Sequence, residues 1–80
     1  MRAERRYGFL MSLRIETEQE LDGRWLADVP ELPGAMTYGA TRDSAIAAVR
    51  ALALRIAADR LENGEAVPEA VLALFLPNVA

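Results

Sequence analysis

Carboxylates are the one class of chemically useful side chain that this sequence gathers in a single region. Glu16, Glu18, Glu20, Asp22 and Asp28 lie close together in the chain. Such a group can hold a hard divalent cation or, with no metal, run acid-only chemistry. Their spacing points elsewhere. Glu16, Glu18 and Glu20 recur at every second residue, as the wet side of a strand requires, and a charged face also blunts aggregation. Nucleophilic chemistry has less to work with: the serines are Ser12 and Ser44, and there is neither histidine nor cysteine in the sequence to activate or replace them. No glycine-rich phosphate loop and no metal-ligand spacing occurs. The expectation is a chain that is not an enzyme, carries no metal or cofactor, and works by binding.

The elements that position these residues are legible from periodicity. Over 12–19, Leu13, Ile15 and Thr17 alternate with Arg14, Glu16 and Glu18, which reads as a half-buried strand. Asp22-Gly23 is a strong hairpin cue. Over 24–29 the alternation resumes, with Trp25, Ala27 and Val29 facing inward and Trp25 expected to be largely buried. A short third strand is expected at 35–38. The stretch from Val29 to Thr41 organises the whole. Pro30 ends one extended segment and Pro33 opens the next. Gly34 allows the turn behind Pro33, and Gly39 allows a bend or close approach just before a helix. Thr41 has the side-chain oxygen to cap that helix.

The helix is predicted over 42–63, with Gly64 as its stop and with Asp43 and Arg60 suiting its dipole. At that length it spans about 33 Å, against about 20 Å for a six-residue strand, so it overhangs the sheet. One stripe, Ala45, Val49, Leu52 and Ile56 with Ile46 and Ala53, is expected to cover the sheet. A second stripe, Ala47, Ala51, Leu54, Ala58 and Leu61, recurs on nearly the opposite side and is expected to meet another subunit. Ser44, Arg55, Asp59 and Glu62 mark the polar remainder. Beyond Gly64, Pro68 can open a single helical turn or 71–76 can form a strand; the favoured reading is a turn at 68–71 and a fourth strand at 72–76, apolar on both faces and therefore covered. Leu54, Ala58, Leu61, Val71, Leu74 and Phe75 are thus the candidate residues of a homo-oligomer interface. A different partner is expected at the outer sheet face or the strand-linking loop, at Glu31, Leu32 and Tyr38.

Composition agrees with a binding module that assembles. Eighty residues make one domain near the lower limit for an independent core, with no cysteine to staple it. At 52% hydrophobic residues, oligomerisation is the natural source of added stability. The net charge of −3 argues against nucleic acid as the main partner. All nine basic residues are arginine, and they are scattered except for Arg2, Arg5 and Arg6 in a basic arm at 1–11. That arm keeps a second function class open, a nucleic-acid-binding regulator whose affinity falls steeply with salt. No apolar run is long enough to span a membrane and none reads as a secretory signal, so a cytoplasmic location is the default.

The order of these pieces is similar to a known family. Asp22-Gly23-Arg24-Trp25-Leu26-Ala27-Asp28-Val29-Pro30-Glu31-Leu32-Pro33-Gly34, a short strand, Gly39-Ala40-Thr41 and an alanine-rich helix closing in Glu62-Asn63-Gly64-Glu65 resembles the HicB-like antitoxin family over about residues 12–69. Departures are Ala35, where many members carry cysteine, and Arg42, Asp43 and Ser44, where acids usually follow the threonine. The resemblance implies an α+β domain at 12–80 with β-β-β-α-β order, one long helix on one face of an antiparallel sheet, and a partial ribonuclease H-like fold without that enzyme's catalytic carboxylates. Many members carry a C-terminal DNA-binding domain, and in a further departure this chain is expected to be a short member without one. The resemblance also implies a partner, a small HicA-type toxin that cleaves mRNA and is silenced by direct binding.

Overall fold

A computed structural model describes residues 12–78; the basic arm expected at 1–11 lies outside the described residues. In chain order the elements are β1 (Glu16–Gln19), β2 (Trp25–Asp28), β3 (Met36–Gly39), α1 (Arg42–Glu62) and α2 (Glu69–Ala73). The strands form an antiparallel sheet in the order β1-β2-β3, and α1 lies across one face of it. The fold is α+β.

Turn chemistry sets both registers. After β1 the Glu20 amide donates to the Arg24 carbonyl at 2.7 Å. Gly23 supplies the left-handed φ of 92° that the turn needs. The Asp22 carboxylate accepts from the Arg24 amide and guanidinium, so Thr17 falls opposite Ala27 and Gln19 opposite Trp25. Between β2 and β3 the Val29 amide donates to the Ala35 carbonyl at 2.9 Å, with Gly34 at φ 98°. Leu26 then faces Tyr38, and Ala27 faces Thr37. The third strand's facing, open in the sequence, is settled by this pairing: Thr37 points to the helix, Met36 and Tyr38 away.

The helix start is bound to the sheet. Thr41 Oγ1 accepts from the Ser44 amide at 3.0 Å while Ser44 Oγ accepts from the Thr41 amide at 3.1 Å, a reciprocal cap with serine in the place usually held by glutamate or glutamine. Thr37 Oγ1 donates to the Ala45 carbonyl at 3.0 Å. Gly39 makes the approach possible, since a Cβ there would lie 2.5 Å from Ser44 Oγ and 2.6 Å from the Ala45 nitrogen. At the far end the Glu65 amide donates to the Arg60 carbonyl and the Gly64 amide to the Leu61 carbonyl. With Gly64 at φ 71°, that is a Schellman termination.

Ala27, Val29, Leu32 and Ala35 from the sheet and its loop pack against Ala45, Val49, Ala53 and Ala57 of α1 and Val71 of α2. The row on α1 runs at strict four-residue spacing, so Ala57 is buried while Leu52 and Ile56 are only half-buried. Alanines bring the backbones close but bury little area each. Leu32 and Val49 are the largest fully buried side chains, which makes this a thin core. Trp25 faces the helix as expected but is half-buried, at the margin of the core rather than beneath it.

The expected fourth strand does not form. Pro68 caps α2 instead, and the Val71 amide donates back to the Pro68 carbonyl at 2.9 Å. A proline with φ near −60° suits the start of a helical turn, and one turn separates an all-apolar run into two sides. Ala70 and Val71 turn inward, while Leu72, Leu74, Phe75 and Leu76 remain exposed. Part of the overhanging end of α1 is therefore covered by α2 of the same chain.

Candidate functional site

Two exposed surfaces lie on opposite layers. The first is the open sheet face. Strand pairing lines up Glu18, Leu26 and Tyr38 in one row across the sheet, and Glu16, Asp28 and Met36 in the next. The carboxylates gather over β1 and β2, and the apolar groups over β3. Leu26 sits between them, half-buried. The Arg24 guanidinium lies over the Tyr38 ring, 4.4 Å from its centroid, a cation–π contact that orients the ring. Among the described residues no group of acids is arranged to hold a metal ion, and no buried side-chain polar atom is left without a partner. What this face can do is present negative charge beside a flat apolar strip.

The strand-linking loop is fixed rather than free. Glu31 accepts from the Arg14 guanidinium at 2.7 Å, and Arg14 also lies 3.6 Å from Glu16. The hydrogen bond from Arg14, more than its charge, holds the Glu31 carboxyl below its ordinary value; the same pairing raises Arg14. The Asp22 carboxyl is likewise lowered, chiefly by the Arg24 amide. Arg60 reaches the Pro33 carbonyl from α1. Of the three residues expected to meet a partner, Leu32 is 0% exposed. It is corrected to a core residue, because the Leu32 amide bonds back to Val29 and the loop folds its side chain under the sheet. Tyr38 is exposed on the open face and Glu31 is engaged with Arg14.

The second surface is a groove between the C-terminal half of α1 and α2. Leu54, Ala58, Leu61, Val71, Leu74 and Phe75 all line it, around about 250 Å³ of space, and Leu13 closes one end. The six candidate interface residues are thus brought together, although through a helical turn instead of a strand. Val71 is 4% exposed and belongs to the core; it forms the groove floor and is no free contact residue. Phe75, by contrast, is 75% exposed. Leu13 was legible as an inward position of the first alternating segment. The Arg14–Glu31 pair, which spans 17 residues, had no sequence signal.

No protein-family model, curated protein or solved structure matches this chain. None of the described helices is long and apolar enough to cross a membrane.

Proposed function

We propose that this chain is an antitoxin-like binding module, a HicB-like protein that masks a small basic HicA-type mRNA-cleaving toxin with its open sheet face. The observation that carries the reading is the composition of that face. Glu16, Glu18 and Asp28 stand beside Leu26, Met36 and Tyr38 with no element packed over them among the described residues. A protein that cleaves RNA must attract a polyanion, so its working surface is basic. An array of carboxylates on one sheet face competes for the same surface and steers the encounter. The apolar strip then supplies the water-excluded contact that slows dissociation. The antiparallel three-stranded sheet under one long helix supports the family reading, and the partial ribonuclease H-like relationship is part of this proposal. The chain acts by occupancy, without turnover of its own.

The test begins with the adjacent reading frame. If it encodes a small basic protein with a catalytic histidine, the two purified proteins form a stable complex and mRNA cleavage stops at stoichiometric ratio. Glu18→Arg with Asp28→Arg weakens that inhibition by more than about tenfold, or ~1.4 kcal/mol, while the circular dichroism of the chain is unchanged. Cleavage that continues in molar excess of this chain, or full inhibition by the double variant, refutes the reading.

A further inference from the structure

We propose that a second copy of this chain closes the α1–α2 groove, by antiparallel pairing of the two α1 helices about a two-fold axis near Ala58. The proposal is independent of the toxin reading, which uses the opposite layer.

Area is the first argument. Leu54, Leu61, Leu72, Leu74, Phe75 and Leu76 are each between 46% and 77% exposed. The four of them that line the groove, Leu54, Leu61, Leu74 and Phe75, offer roughly 400 Å² at on the order of 100 Å² apiece, about half of the ~800 Å² each partner contributes to a standard interface, with Leu72 and Leu76 exposed on the adjoining segment. Charge is the second argument. Arg55 and Glu62 are seven residues apart on α1, hence on one flank of the exposed stripe. Neither has an ion-pair or hydrogen-bond partner among the described residues. They lie three residues before and four after Ala58, so antiparallel pairing about that point sets Arg55 of each copy beside Glu62 of the other, twice. The same operation brings Leu54 within about one residue, ~1.5 Å along the axis, of level with Leu61 of the second copy. Ala58, at the crossing point, is small enough for the helices to approach closely.

Sedimentation of the full chain at tens of micromolar tests this, with twice the 8.8 kDa chain mass expected. Leu54→Glu with Leu61→Glu sediments as a single chain. In case that variant fails to fold, Arg55→Glu keeps the apolar face and raises the dimer dissociation constant by about tenfold or more. Adding Glu62→Arg to Arg55→Glu restores it, which a merely structural role for Arg55 would not produce. A parent chain that sediments as a monomer overturns the proposal and leaves the groove to the chain's own first residues or to open water. A dimer indifferent to all these changes uses another surface, and overturns it equally. Weakening by Arg55→Glu without rescue overturns the antiparallel pairing.

Discussion

Replacing Gly39 by alanine is the sharpest test of how α1 is held to the sheet. The φ of Gly39 is not in the left-handed region, so alanine can adopt this backbone, and any cost is steric. The added Cβ would lie 2.5 Å from Ser44 Oγ, 2.6 Å from the Ala45 nitrogen and 3.0 Å from the Ala45 Cα. Ser44 can rotate away only by giving up its bond to the Thr41 amide; the Ala45 backbone cannot rotate at all. To reach ordinary contact the first turn of α1 must retreat by about 0.8 Å, which strains the bond from Thr37 Oγ1 to the Ala45 carbonyl. Overpacking of this kind costs about 1–3 kcal/mol, and a damaged cap adds about 1 kcal/mol. A more restricted unfolded chain returns about 0.4–1 kcal/mol. The net expectation is a loss of about 2–3 kcal/mol, which for a domain this small lowers Tm by roughly 10–20 °C. Thermal and urea unfolding followed by circular dichroism read it directly. Gly23→Ala is the control, since its Cβ meets nothing within 4 Å and its cost is only that of a left-handed alanine, about 1 kcal/mol. A Gly39→Ala protein that melts within 2–3 °C of the parent, or no lower than Gly23→Ala, refutes the close approach.

Three further outcomes follow from the same contacts. Trp25→Ala costs about 2–3 kcal/mol by urea unfolding, less than the 3–5 kcal/mol of a fully buried aromatic, because the ring is half-buried; a loss under about 1 kcal/mol would place Trp25 outside the core. The Glu31 carboxyl is held below its ordinary value, so its stabilisation is present above the usual carboxylate range and is lost as pH falls through the lowered value. The Tm advantage of the parent over Glu31→Gln is therefore constant near neutrality and narrows in acid. It also shrinks with salt, since the pair is largely exposed, and an advantage that grows in acid contradicts the assignment. Purified chain turns over no RNA; activity that follows the protein through purification and disappears with Glu16→Gln or Glu18→Gln would reverse the binding-only reading.

Local chemistry accounts for which parts of the fold were legible in the sequence. Asp22-Gly23, Pro33-Gly34, Gly39, Thr41 and Gly64 each do one backbone job that few other residues can do, and each sits where that job is needed. Alternation fixed the inward faces of Leu13, Ile15, Ala27 and Val29. The turn expected at 68–71 is present, with the Val71 amide on the Pro68 carbonyl, whereas the strand expected at 72–76 fails because six successive apolar residues carry no period, so strand and helical turn differ only in what the preceding residues begin. Leu32 was misread for a related reason. A leucine between two prolines in a loop looks exposed, and only the fold-back of 29–35 reveals that its side chain closes the core. Among the candidate site residues, those on α1 were legible because helical spacing fixes neighbours. The Arg14–Glu31 pair was not, because it joins two elements whose proximity is a tertiary outcome.

The thin core and the exposed apolar residues have a common origin in the two-layer design. A sheet with one helix across it buries one side of each layer and leaves the other two sides outward. Here β2, β3 and the link between them turn Trp25, Ala27, Ala35 and Thr37 to the inner side and present Leu26, Met36 and Tyr38 outside, while α1 buries Val49 and three alanines and turns Leu54 and Leu61 outward. Gly39 and the cap at Thr41 hold the first turn of α1 close against β3. The apolar surface that cannot go inward is displaced to both outer faces. Because those faces point in opposite directions, occupation of the groove by a second copy leaves each acidic sheet face uncovered. In the proposed dimer, closing the groove and binding a different partner would then draw on separate residues.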